Sequence, residues 1–480
     1  MIDQDDRDRA RTGAVSLRQS DAGGDADFTD FLMCWRFREI EHVGRNAYLL
    51  ALAAWQRGLR VTFHYEMASH SWRFSHLQWA GVRGELLRIS DGHRSHAFYR
   101  VMGDRTSARA SATCESKPHA KAVLRKAGIR VPDGVVVEPG RAREANSFLA
   151  RSPAERFLLK PLDGTLGRGV LRDLGASDVR RHLSALEQPI LLEELVAGRE
   201  YRVYVTGEQV VSVLRRRPAS VLGDGQQSIR KLVERKAAAR SIHPVYREYP
   251  LVLDASAEGF LAEHGYAPSD TPEEGQRVYL SAIPGTQYGG DFVEAEAEFP
   301  REAEGVALAA VRALELPNAG IDLIVVDAPG DDPVAGVVVL EANQNPYIDH
   351  EPLPFPDAHP GGFNCIAESV VDDYFPESRG NTRYPRASFD FGAVCSALQA
   401  GAVSTVSLPV LGLEWVHERV TLPPDQAGQE VIGRVNEARL RYGINVQLVR
   451  RESGALVVDG VAPRQRWERF ADFAGLPATP

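Results

Sequence analysis

Lysine is scarce in this chain: of 56 basic residues among 480, six are lysine (Lys117, Lys121, Lys126, Lys160, Lys231 and Lys236). Where arginine serves for generic positive charge, a retained lysine marks a place for a compact ammonium rather than a planar fork. Lys126 and Lys236 read as ordinary helix-surface residues. Cysteine is scarce too. Cys34, Cys114, Cys365 and Cys395 form neither a CxxC pair nor a disulfide framework. No apolar run approaches the length of a membrane span, and the charged start MIDQDDRDRARTG lacks the apolar core of a signal peptide. The expectation is a cytoplasmic chain without a membrane partner. A net charge of −9 excludes a general nucleic-acid binder, but leaves room for an anionic ligand in a local basic pocket. No Ser–His–Asp or Cys–His arrangement stands out. Cys365 near His359 reads as a packing cysteine.

What is present is ordinary globular material, 44% hydrophobic and 25% charged, with room for two to four domains. Residues 1–26 read as a disordered tail. Residues 27–112 read as a small α/β unit with a helix over 46–57, and its five crowded histidines (His64, His70, His76, His93, His96) match no metal spacing. Arg36, Arg38, Glu39, Glu41 and Arg45 near its start are candidate substrate contacts without a motif. SKPHAKAVLRKAGIRVP follows as a helix with Ser116 as N-cap and Gly128 as its stop.

In RFLLKPLDGTLGRGV a short strand ends in Lys160 and leads into a loop with Gly164, Gly167 and Gly169. Glycines let backbone N–H groups converge on phosphate oxygens, which Lys160 can also reach. No GKS or GKT follows, so the loop is not a Walker A motif. Next, a strand over 190–192 runs into Glu193 and Glu194, a hairpin turns at residues 206–208, and a basic segment over 215–217 precedes the turn at Gly223–Asp224–Gly225.

The stretch AGIDLIVVDAPGDDPVAGVVVLEANQNP reads as a buried hairpin whose apolar runs flank a turn at 331–332. In that register Asp322 faces Glu341, and Asn343 shares their side. Two carboxylates and a carboxamide suit magnesium, whereas strand-end residues in solvent would be the ordinary alternative. After about residue 374 the order strand, helix, strand, strand, helix over 415–475 suggests a small ferredoxin-like α+β module for docking, dimerisation or acceptor recognition.

These motifs in this order resemble the ATP-grasp carboxylate–amine ligases, closest to the cyanophycin synthetase and glutathione-synthesising branch. The matching pieces are SKPHAK with AGIRVP, LLKPLDGTLGRGV, LLEELVAGREYRVYV, RRRPASVLGDGQQSIRKLV, GIDLIVVD and VLEANQNPYIDHEP. The resemblance implies an α+β chain with an ATP-grasp fold over residues 113–375, two α/β subdomains gripping ATP with a lid at about 121–196. The small α/β domain precedes it and a C-terminal α+β module over 376–480 follows. It implies ATP and Mg²⁺ as cofactors, with Lys160 and either Lys117 or Lys121, Lys121 preferred, on the nucleotide. Gly167, Arg168 and Gly169 fall in the phosphate-covering loop. Glu193, Glu194 and Glu200 fall near adenine and ribose, and Asp322, Glu341 and Asn343 at the magnesium ligands. His350 falls in a substrate loop. In VYLSAIPGTQYGG, Ser281 and Gly285 stand where the branch has an arginine and an asparagine, which leaves Arg202 or Arg277 as the substitute cation. The implied reaction joins a small carboxylate, an amino acid or a modified one, to an amine through an acyl phosphate. Ring closure within one substrate and nucleotide binding without turnover are the alternatives.

Overall fold

Runs of branched and aromatic residues, broken by glycine and short polar turns, make strands that pair into five sheets among the described residues. The computed structural model describes residues 42–65, 84–162, 169–242, 245–326, 336–349, 364–380, 389, 391–399, 403–411, 414–442, 444–450 and 453–477. The expected tail, most of the glycine-rich loop and the turn at 331–332 lie outside them.

The described residues begin with helix α1 (His42–Gln56), whose alanine- and leucine-rich interior is buried, and a meander of β1 (Arg60–His64), β2 (Leu86–Ser90), β3 (Ser95–Tyr99) and β4 (Met102–Gly103). Two short helices, α2 (Ala108–Glu115) and α3 (Lys117–Lys126), follow end to end. Ser107 and Ser116 cap them, each accepting a first-turn N–H that would otherwise be orphaned.

The next 60 residues form a four-stranded antiparallel sheet: β5 (Gly134–Val137), β6 (Phe157–Pro161), β7 (Leu171–Leu174) and β8 (Ile190–Glu194), in the order β5-β8-β6-β7. Helices α4 (Ala142–Arg151) and α5 (Ala176–Leu183) close a separate small core with it around Phe148, Phe157, Val179 and Leu192.

A larger antiparallel sheet comes next. It holds β9 (Arg199–Thr206) and β10 (Gln209–Arg217). An insertion follows, consisting of β11 (Ser220–Leu222), α6 (Ile229–Ile242), α7 (Ala255–Glu263) and β12 (Arg277–Tyr279). The sheet is completed by β13 (Asp291–Glu294), β14 (Asn318–Val325) and β15 (Val337–Asn343), in the order β13-β10-β9-β14-β15. One face packs Tyr201, Val203, Val213, Ile321, Leu323 and Val339 onto the alanine stripe of α8 (Arg301–Ala313). The other face is covered at one end, where Tyr204 and Leu214 join the core that α1 shares with α9 (Cys365–Tyr374). Its remaining part carries charge and floors a cleft.

The C-terminal region divides differently from the expected 376–480 module. Helix α10 (Phe391–Gln399) and strand β16 (Thr405–Ser407) return to the N-terminal domain, where β16 pairs antiparallel with β1 and Val406 faces Phe63. Phe389 and Phe391 pack against Tyr48 and Phe63 with ring centroids 4.9 Å (Tyr48–Phe389) and 5.6 Å (Phe63–Phe391) apart. Each such buried phenylalanine contributes about 1.5–3 kcal/mol. A separate unit follows: β17 (Trp415–Leu422), α11 (Gln429–Tyr442), β18 (Asn445–Arg450), β19 (Leu456–Pro463) and α12 (Arg464–Ala474). Its described sheet has three strands, β17-β19-β18, over its own core of Val435, Val458, Trp467 and Phe470. No helix among the described residues is long and apolar enough to cross a membrane.

Candidate active site

The charged face of the central sheet follows from strand periodicity. Glu200 and Arg202 lie two apart on β9, and the register sets Asp322 of β14 between Arg202 on one side and Glu341 of β15 on the other. Asn343 faces Gly320. A side chain at Gly320 would not fit, because its Cβ would lie 2.7 Å from Arg202 Nη1 and 2.9 Å from Pro346 Cβ. Glycine here leaves the room that the guanidinium of Arg202 occupies.

Asp322 is held by two arginines. Arg216 Nη2 donates to its Oδ1 at 3.1 Å, while Arg202 Nε approaches the same oxygen at 3.0 Å as an ion pair without hydrogen-bond alignment. Arg216 also donates through Nη1 to Glu200 Oε1 at 2.8 Å. Burial acts to lower the Arg216 guanidinium, but Asp322 and Glu200 outweigh it and hold the group above its ordinary value. Lys117 Nζ stands 3.8 Å from Glu341 Oε1 and donates to the Leu162 carbonyl at 3.4 Å. These side chains, with Lys160, Arg100, Asn345 and Tyr347, line a cleft of about 450 Å³.

The four-stranded sheet shows a second charged group. Glu193, on its inner strand β8 and 1% exposed, holds Lys160 Nζ at 2.7 Å with Oε2 and pairs with Lys121 through Oε1. Burial pushes the Lys121 ammonium down to about 8. Glu194 accepts the backbone N–H of Asp133 at 3.1 Å. Gly169 has φ +71°, and a Cβ there would meet Pro161 Cγ at 3.0 Å.

The sequence-derived candidates therefore separate. Asp322, Glu341, Asn343, Glu200, Arg202, Lys117 and Lys160 share the cleft. Lys121 is not among the residues lining it. Lys121 packs behind Lys160 on Glu193, so the two lysines weighed for one role stand in different places. Arg277 is not brought in: it lies on β12, where Nη1 meets Ser220 Oγ at 3.2 Å. Ser281 turns its hydroxyl to the N–H of Ile283 at 3.0 Å and lines an adjoining recess instead. Gly167, Arg168 and His350 lie outside the described residues. The sequence marked the basic segment over 215–217 without singling out Arg216, and Arg100 was not among the sequence-derived candidates. Carrying the alternation of β10 through the basic segment would have put Arg216 on the Asp322 face, whereas nothing local marks Arg100.

Asp322, Glu341 and Asn343 fit a hard divalent cation such as magnesium, since all three offer oxygen. Among the described residues no hydrogen bond holds the Asn343 carboxamide, and its buried Nδ2 has no partner. No cluster of three His, Cys, Asp or Glu residues suited to a metal occurs among the described residues, so the set depends on the asparagine as its third donor.

Comparison with known proteins yields no matching family model. The bifunctional glutathione biosynthesis protein GshAB of Desulfotalea psychrophila is 29% identical over 243 residues, 49% of this chain and 31% of that protein. GshAB of Pasteurella multocida is 26% identical over 372 residues, 71% of this chain and 48% of that protein. Cyanophycin synthetase of Trichormus variabilis is 26% identical over 304 residues, 61% and 33% respectively. The chain thus spans less than half the length of these relatives. Among solved structures, a bifunctional glutathione synthetase from Pasteurella multocida superimposes with a TM-score of 0.47 at 25% identity, over 61% of this chain and 40% of that one. The chain is thus similar to the glutathione biosynthesis proteins and to cyanophycin synthetase, the branch that its ordered motifs resemble.

Proposed function

We propose that the chain is an ATP- and magnesium-dependent ligase that joins a small carboxylate to an amine, releasing ADP and phosphate. The observation that carries this reading is the cleft floor, where Asp322, Glu341 and Asn343 lie beside Lys117, Lys160, Arg202 and Arg216. Asp322, Glu341 and Asn343 would hold magnesium. ATP, when bound with the metal, supplies the phosphoryl group that makes a carboxylate open to attack by an amine.

The chain's own residues supply position and charge. Lys160 and Lys117 both line the cleft, one from β6 and one from the start of α3. Both suit negative oxygens between them. Arg202 and Arg216 pair with Asp322, so its negative charge is balanced within the floor. The four-stranded sheet contributes Lys160, Pro161 and Arg172 to one wall of the cleft, and an activated acyl group requires protection from water there. None of this calls for a covalent enzyme intermediate, in keeping with the lack of a nucleophile–base pair in the sequence.

The test is ADP release with ATP, magnesium and a panel of carboxylates and amines. Glu341→Ala is expected to lower the rate by at least about a hundredfold. An unchanged rate removes the metal assignment. ATP binding without ADP release under every pair favours a nucleotide-binding protein without turnover, a reading supported by Ser281 and Gly285 standing in the acceptor segment. A single organic substrate that returns one water lighter marks ring closure instead.

A further inference from the structure

The turn joining β3 to β4 carries an arginine where glycine, asparagine or aspartate would be ordinary. Arg100 has φ +55°, a left-handed conformation that is unfavourable for a bulky side chain. The turn is bolted to the central sheet on both sides. The Val101 carbonyl accepts from Asn318 Nδ2 at 3.1 Å, and the Val101 N–H donates to Asn345 Oδ1 at 3.4 Å. Arg100 itself donates its backbone N–H to the Glu85 carbonyl at 2.8 Å. Strain kept in a turn so firmly anchored points to a use for the side chain. That side chain lines the same cleft as Asp322, Glu341 and Asn343.

The guanidinium is oriented from behind. Glu85, fully buried, takes Arg100 Nε with Oε1 at 2.6 Å, and its other oxygen accepts the Tyr99 hydroxyl at 3.4 Å. The rings of Tyr99 and Tyr347 lie 5.1 and 5.6 Å from the guanidinium carbon. Among the described residues no acceptor meets either Nη group. An arginine fixed through Nε, set against aromatic rings and keeping its terminal edge for the cleft presents a fork shaped for a carboxylate. Arg202 and Arg216, by contrast, are committed to Asp322 and Glu200.

We propose that Arg100, set by Glu85, is the specificity-determining residue of the substrate pocket and binds a carboxylate that the substrate carries in addition to the one activated. The substrate class is then a dicarboxylate, an acidic amino acid or a peptide acid. This rests on the ligase reading above.

The experiment is calorimetric titration of the full chain, saturated with a non-hydrolysable ATP analogue and magnesium. The probes are L-glutamate, L-aspartate, glutarate and L-alanyl-L-glutamate, against L-glutamine and L-asparagine. Acids should bind and their amides should bind more weakly. Arg100→Gln should raise the dissociation constant for an acid by about tenfold to a hundredfold while leaving that for its amide unchanged. Arg100→Lys should recover part of the loss, and Glu85→Gln should weaken acids in the same direction. Thermal unfolding of each variant separates misfolding from lost recognition. Equal affinity of wild type and Arg100→Gln for every acid overturns the inference, as does wild-type indifference between acid and amide, or no binding of any probe. If the analogue itself fails to bind, it is the ligase reading that falls, so the two failures are distinguishable.

Discussion

Lys121 shows how much one buried charge can be asked to carry. Its ammonium, paired with Glu193 in a dry position beside Lys160, is pushed down from 10.5 to about 8, chiefly by burial. The unfolded chain therefore binds this proton between about 8 and 10.5 where the folded chain does not. Native stability from this group must rise with pH across that window and be flat below it. Urea unfolding of wild type and Lys121→Met at pH 8, 9 and 10 checks the sign: wild type should gain on the variant as pH rises. A constant difference between the two would mean that Lys121 titrates normally. Glu193 shows the complementary limit, because its carboxylate answers two lysines and was expected near adenine and ribose from its place at a strand end.

At the scale of elements, β9, β14 and β15 act as a single device. Their register lines up Arg202, Asp322 and Glu341 across three strands, while the opposite face is wholly apolar against α8. A slip of one residue on any of them would bury the acids and expose valines, so the hydrophobic face enforces the charged one. Gly320 is the tightest point of this arrangement. Gly320→Ala should displace Arg202 or the Pro346 ring and cost about 1–3 kcal/mol in urea unfolding. A variant as stable as wild type would show that Arg202 has other room. This alternation was legible in advance, since the two apolar runs flanking a polar turn could pair in few ways. The loss of Ser281 from the cleft was not, because its hydroxyl is spent on a local turn that only backbone geometry reveals.

Across the whole molecule, the N-terminal domain is completed from far along the chain. β16 adds to β1, and Phe389 and Phe391 fill the core around Tyr48 and Phe63. The 415–475 unit has its own core beyond that point. Ending the chain after residue 413 should leave the melting of the remainder within a few degrees of wild type. Ending it after residue 380 strips both phenylalanines and the added strand, at about 1.5–3 kcal/mol for each ring, and should leave an aggregating N-terminal domain. Similar melting of the two truncations, read by circular dichroism, would mean that the added strand and rings are dispensable.

The sequence by itself determined the parts whose information is local: the helix cap at Ser116, the apolar alternation of β14 and β15, and the ordered motifs that resemble those of ATP-grasp ligases. Tertiary structure alone decided which charges meet. Val101 and Asn345 lie 244 residues apart, β1 and β16 more than 340, and no period or motif links them. A strand of three residues or a lone arginine in a turn carries too little pattern to name its partner. Partners of that kind are chosen by the packing of whole domains, where burying apolar faces brings distant polar groups together and fixes which of them must be satisfied.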